Sequence, residues 1–211
     1  MVKYKNTKKG EKEKIKLKPK EKLIKYLIEN KGPVSMKQAS EAIAVDYKNV
    51  YGYVGDLTAS GAIVQKIVGN TSPIEINPTP NQEIYNVENK RTQKFLERNP
   101  KFRLIKEDIN QVNYPFMIVL IFGSYVKNTK TEGSDIDICI ILDNERKTKQ
   151  LIETLNLLSL KLEIHAFTTN EFISMIEKTQ NNLGREIVKS NIILYGIENY
   201  YNLISKWMKK E

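Results

Sequence analysis

Phe122-Gly123-Ser124-Tyr125-Val126-Lys127-Asn128-Thr129-Lys130-Thr131-Glu132-Gly133-Ser134-Asp135-Ile136-Asp137-Ile138 joins two apolar stretches, and its reading decides the fold. Before it, Phe116–Phe122 is almost continuously apolar, as a strand covered on both faces must be. After it, Asp135–Leu142 reads as a second strand. Side chains at i and i+2 of a strand share a face. Asp135 and Asp137 therefore stand side by side, while Ile136, Ile138 and Ile140 fill the buried parity. Two adjacent carboxylates repel each other unless a cation is shared between them. Carboxylate oxygens are the preferred protein ligands of a hard cation such as Mg²⁺. Gly123-Ser124 closes the preceding strand. A glycine there admits close backbone approach, and amides opening a following helix favour an anion. A phosphate cradle beside a pair of metal ligands is what phosphoryl or nucleotidyl transfer requires. The alternative is an ordinary loop, with Asp135 as a cap and Asp137 in a surface salt bridge.

Outward from this stretch, Leu160–Phe167 alternates and predicts a third strand. Leu160, Leu162, Ile164 and Ala166 take one parity, Glu163 and His165 the other. If this strand lies beside Asp135–Leu142, Glu163 can complete a carboxylate triad as a metal ligand, or accept a proton from an incoming hydroxyl. His165 is expected to be structural. Cys139 is expected in the core, on the parity of the two aspartates.

Gly123, Ser124, Asp135 and Asp137, with the apolar strand ending in Phe122 and Ser134 before the acidic pair, resemble the DNA polymerase beta-like nucleotidyltransferase superfamily, in its minimal branch. The stretch from Leu183 to Gly196 is similar to archaeal-type members. The resemblance implies a divalent metal, Mg²⁺ or alternatively Mn²⁺, held by Asp135, Asp137 and Glu163. It implies ATP or another NTP bound by Gly123, Ser124, Lys127 and Ser134. Members commonly carry Ala-Arg-Gly where this chain has Val126-Lys127-Asn128. Lys127 keeps the charge of the arginine without its bidentate fork, and Asn128 tolerates positive φ less readily than glycine. Some minimal members act as antitoxins that modify a tyrosine of a HEPN-domain toxin; others resemble antibiotic-modifying enzymes.

The remaining sequence sets the frame. The chain has 211 residues and a formal net charge of +9. Residues 1–22 hold 10 lysines and 3 glutamates, so 24 basic and 22 acidic residues remain in the rest, a net of +2. The basic excess therefore belongs to an N-terminal arm, which can follow a nucleic-acid backbone or simply be solvated. A single cysteine, Cys139, excludes an intrachain disulfide and a multi-cysteine zinc site. No apolar run approaches the ~20 residues of a membrane span, and no apolar segment follows the basic N-terminus as in a signal peptide. A cytoplasmic protein without membrane contact is the expectation.

From Glu21 to Pro80 the pattern is three helices and a hairpin. Leu23, Tyr26 and Leu27 mark the first helix. Ser35 and Gln38 form a capping box for the second, whose inner face is Met36, Ala39, Ala42 and Ile43. Asp46 caps the third, with Val50, Val54 and Leu57 inward. Ile63–Val68 and Ile74–Ile76 surround a turn at Gly69-Asn70. The arrangement resembles a winged helix-turn-helix. Its third helix would present Tyr47, Lys48, Asn49 and Tyr51 to DNA, with Lys66 on the wing. Binding to protein or RNA, or dimerisation alone, are the alternatives, and a homodimer fits such a domain. The expected fold class is α+β, a winged helix-turn-helix followed by a nucleotidyltransferase α/β domain with a small mixed sheet. The expected boundaries are a disordered basic tail at 1–20, the helical front end at 21–80, a connector at 81–114 and the transferase domain at 115–211. Trp207 is expected to pack on the last helix.

Overall fold

The computed structural model describes residues 15–66, 71–112 and 114–208. Most of the expected tail, the turn at Gly69-Asn70 and the packing of Trp207 lie outside the described residues. The front end comprises α1 (Pro19–Asn30), α2 (Met36–Ile43), α3 (Tyr47–Ala59) and the antiparallel pair β1 (Ile63–Gln65) and β2 (Ile74–Ile76). The capping box forms, with Gln38 N–H donating to Ser35 Oγ at 3.2 Å and Ser35 N–H to Gln38 Oε1 at 2.9 Å. The Asp46 carboxylate accepts from Lys48 N–H, as its capping position demands. Leu23, Leu27, Met36, Ala39, Ile43, Val50, Val54 and Leu57 are buried together. Ala42 does not share that face but is exposed. Ser40 is buried instead, because its hydroxyl donates to Lys37 O within the helix.

The stretch expected as a connector, with helical pieces anchored at Phe95-Leu96 and Leu104-Ile105, carries α4 (Gln82–Arg98) and α5 (Phe102–Val112). Hydropathy hides α4 because its inward stripe mixes Ile84, Tyr85, Val87 and Phe95 with Glu88, Arg91 and Thr92. Burying those polar groups is tolerable only because each is paired. Arg91 donates Nη1 to the Glu88 carboxylate and Nη2 to Asn191 O at 3.2 Å. Thr92 Oγ1 donates to Ile193 O at 2.7 Å, and Tyr201 O–H to Glu88 Oε1 at 2.7 Å.

The remainder of the described chain contains β3 (Ile118–Ile121), α6 (Ser124–Lys127), β4 (Ile136–Ile141), α7 (Glu145–Asn156), β5 (Leu162–Phe167), α8 (Thr169–Glu177), α9 (Leu183–Lys189), β6 (Ile192–Tyr195) and α10 (Ile197–Met208). The four strands make the expected mixed sheet in the order β5-β4-β3-β6. The β4–β5 pair is parallel, with α7 as its crossover, and the β3–β4 and β3–β6 pairs are antiparallel. Central β3 and β4 are apolar on both faces. Val119, Ile121, Ile138 and Ile140 pack against Phe102, Ile105 and Ile109 of α5 and Leu151 and Leu155 of α7. Ile118, Leu120, Phe122, Cys139 and Ile141 face Phe172, Ile176, Ile187 and Tyr200. That second cluster continues without a break into Leu23, Ile28 and Leu57, so the front helices and the sheet share one core.

The Glu88–Arg91 pair sits at this junction. Removing one partner of a buried pair leaves the other charge without compensation, at about 3–5 kcal/mol. Arg91→Met is expected to lose about that much in chemical denaturation, with much of the loss restored by adding Glu88→Gln. A single variant within ~1 kcal/mol of wild type would contradict this role.

Candidate functional site

The two aspartates arrive from one strand. β4 starts at Ile136, so Asp135 is the last residue before pairing and is exposed, while Asp137 lies one pleat further in and is half-buried. Their parity also carries Cys139, which is buried and whose thiol pKa is pushed up by that burial. Parallel pairing puts Asp137 directly opposite Glu163, and Cys139 opposite His165. Three carboxylates thus come from the same corner of the sheet, beside the end of β3.

Gly123 explains how β3 can end there. Its φ is +67°, a region costly for a residue with a side chain. A Cβ at this position would stand 1.9 Å from Asp137 Oδ2. The Asp137 carboxylate therefore fills the space the missing side chain leaves. It also takes a hydrogen bond from the backbone N–H of Ser124. The amide expected to greet a phosphate is thus engaged by Asp137, and the one-turn α6 begins from it. Asn128 closes α6 at φ +56°, in the left-handed conformation that glycine adopts most readily. Asparagine is among the residues that tolerate it best.

Burial, reinforced by the like charges of Glu163 and then Asp135, raises the Asp137 pKa; His165 and the Ser124 N–H oppose the rise only in part. Asp137 forms no salt bridge among the described residues, unlike the ordinary surface aspartate of the alternative reading. Paired hard-oxygen donors held under mutual repulsion fit a divalent cation. A complete triad is not assembled, because no three Asp, Glu, His or Cys side chains converge as a metal group among the described residues. Glu163 lies on the edge strand β5, and its Oε1 sits 3.2 Å from Nε2 of His165, two residues along the same face. On β5 Glu163 is exposed and its strand neighbours are half-exposed. His165 also stacks at a tilt on Phe122, with ring centroids 5.6 Å apart, in keeping with a structural role.

The other predicted residues are spread around this corner. Ser134 Oγ accepts from Thr131 N–H at 2.8 Å and so shapes its own turn. Lys127 Nζ reaches Glu186 on α9 at 2.5 Å, tying α6 across to α9 rather than resting free for a phosphate. Sequence reading missed Glu186 as a partner, and also Lys101 and Lys130, whose ammonium groups lie 4.4 and 4.8 Å from the Tyr125 ring centre. No local pattern marks these pairs, because each joins separate elements. On α3, Tyr47, Lys48, Asn49 and Tyr51 are all exposed. Beside them Gly52 and Gly55 leave open space over the helix backbone. Lys66 falls just beyond the shortened β1 and pairs with Glu75 of β2 at 2.7 Å.

Asp137→Asn tests the electrostatics. A carboxyl whose folded pKa is raised binds its proton more tightly when folded. Native stability is then lost as pH rises from the ordinary value of 3.8 through the raised one, and stays lost above it. Asp137→Asn is expected to unfold about 2–4 °C above wild type at pH 7, if the relieved repulsion is about 1 kcal/mol. The advantage should vanish below pH 3, and Mg²⁺ should stabilise wild type but not the variant. Equal melting temperatures at both pH values would show that the repulsion is absent.

Residues 105–200 match the family model described as Polymerase beta, Nucleotidyltransferase. The matched span runs from within α5 into α10 and contains the whole carboxylate corner. It supports the nucleotidyltransferase superfamily for this part of the chain and nucleotidyl transfer as its general chemistry. No curated protein and no solved structure matches the chain. No helix among the described residues is long and apolar enough to cross a membrane.

Proposed function

We propose, on the premise that residues 105–200 are a nucleotidyltransferase domain, that this protein moves a nucleoside monophosphate, AMP from ATP, to a hydroxyl acceptor. The observation that carries the reading is the fit of the Asp137 carboxylate into the space beside Gly123, with Glu163 in register on the next strand. Asp135 and Asp137 hold Mg²⁺, with Mn²⁺ as the alternative. The bound cation supplies neutralisation of the triphosphate charge. The triphosphate lies beside the Gly123-Ser124 turn, and the hydroxyls of Ser124 and Ser134 and the ammonium of Lys127 donate to its oxygens. Lys127 must exchange Glu186 for phosphate, so substrate binding loosens the α6–α9 tie. The acceptor oxygen attacks the α-phosphorus, its proton passes to Glu163, and the bond to the β-phosphate oxygen breaks with departure of pyrophosphate.

The acceptor proposed from the family resemblance is a protein hydroxyl, such as a tyrosine of a HEPN-domain toxin. The front end acts beside this chemistry as a winged helix-turn-helix that reads DNA, in a homodimer. Tyr47, Lys48, Asn49 and Tyr51 form its reading face, and Lys66 grips the backbone; their exposure on and beside α3 supports this. A second reading is a transcription regulator whose transferase-like domain only senses nucleotide. The engagement of Ser124 N–H by Asp137 and of Glu163 by His165 favours it.

Incubation with ATP labelled at the α-phosphate, Mg²⁺ and cell extract is expected to label an acceptor. Asp135→Ala with Asp137→Ala should reduce labelling by roughly 10²-fold or more. Survival of labelling in the double variant would refute the site. ATP binding without label transfer to any acceptor would select the sensor.

For the front end, Asn49→Ala is expected to relax sequence preference at one position by about 1–3 kcal/mol in operator binding. DNA selection unchanged in both Asn49→Ala and Lys48→Ala would remove α3 as the reader.

A further inference from the structure

The positive charge of the folded body is not spread evenly. A cleft of about 950 Å³ opens between α1 and α4 and reaches α6 at Tyr125, Val126 and Asn128. Six cationic side chains line it, Lys16, Lys22, Lys25, Arg91, Lys94 and Arg98, against the single carboxylate of Glu29. Lys25 and Arg91 are spent on Glu29, at 2.5 and 3.4 Å. Lys16, Lys22, Lys94 and Arg98 make no ion pair among the described residues. Elsewhere between the same two helices Lys20 meets Glu83 and Lys90 meets Glu21, so those charges are neutralised while Lys16, Lys22, Lys94 and Arg98 are left at the cleft. Lys94 and Arg98 are four residues apart on one helix face, which sets their side chains ~6 Å from each other.

Unpaired cations crowded into one concavity raise the local potential and attract a polyanion. The volume is that of a single-ligand pocket, too small to enclose a duplex. Half-buried Tyr26 adds an aromatic side chain to the wall, on which a base can stack. The described chain enters along Ile15 and Lys16 at the cleft, and residues 1–14 contribute six more lysines and two glutamates in sequence. We infer that this cleft binds a single-stranded nucleic acid, its phosphates on Lys16, Lys22, Lys94 and Arg98 and a base against Tyr26. The site is separate from the exposed face of α3, and it does not depend on whether the carboxylate corner turns over substrate. Because α6 borders both the cleft and the Gly123-Ser124 turn, a strand bound here ends next to the transferase corner.

The test is fluorescence anisotropy of the full chain with a labelled 15-residue oligothymidylate across a salt series. Four phosphate contacts predict a slope of log affinity against log salt of about −3 for a single strand. Lys94→Gln with Arg98→Gln, which breaks no ion pair, is expected to reduce the slope by about 1.4. Lys22→Glu, Lys94→Glu and Arg98→Glu together should weaken binding at least ~10-fold. Lys37→Glu, Lys149→Glu and Lys178→Glu make the same change in net charge elsewhere on the surface and should leave affinity within about threefold. Tyr26→Leu should weaken the oligonucleotide but not inorganic polyphosphate. Equal losses in the two triple variants, or an unchanged slope in the glutamine pair, would overturn the site. Polyglutamate binding as tightly as the oligonucleotide would replace it with an acidic protein partner.

Discussion

The corner where β3 ends and β4 begins depends on one carboxylate lying where a side chain is missing. Asp137 occupies the position that a Cβ on Gly123 would need, and it holds the first amide of α6. Any side chain at 123 would push the carboxylate aside and strain a backbone already at positive φ. The approach also fixes where α6 starts, and hence where Ser124, Lys127 and Asn128 stand. With Glu163 and Asp135 contributing charge, the corner carries electrostatic repulsion that packing has to support. Such stored repulsion is common at sites built to receive a cation or a proton.

That support comes from an unusually continuous core. The sheet is covered on one face by α5 and α7, and on the other by α8 to α10 together with the front helices. The Glu88–Arg91 pair, the Tyr201 hydroxyl and the carbonyls of Asn191 and Ile193 tie α4 to β6 and α10. Buried charge is a costly way to join elements, but it is directional, since each bond requires a particular partner at a particular angle. A hydrophobic contact would tolerate sliding of α4 along the sheet; this network does not.

Charge is organised by the same packing. In the sequence the basic excess belongs to the N-terminal arm, because the rest nets only +2. Folding pairs Glu21 and Glu83 with lysines between α1 and α4 and leaves Lys16, Lys22, Lys94 and Arg98 facing a cleft. A nearly neutral body can therefore still present a concentrated positive surface. Net charge bounds the class of partner, while placement decides where it meets the protein.

What the sequence by itself determined is local and periodic. The parity of Asp135, Asp137 and Cys139, the capping residues Ser35 and Asp46, the strand character of Ile118–Ile121 within the apolar run and the αL tolerance of Asn128 all follow from nearest neighbours along the chain. So does the Gly-Ser to Asp-x-Asp spacing, which led to the transferase superfamily. Tertiary structure alone decided the pairings across elements. It set β5 beside β4 in the register that faces Glu163 to Asp137, turned Glu163 toward His165, and gave Lys127 to Glu186. It also decided the burial of the polar stripe of α4, which looks like surface until Asn191, Ile193 and Tyr201 supply its partners. The physical reason is the same in each case. A periodicity shows which way a side chain points, but a charge or polar group takes its meaning from whatever the fold brings opposite it.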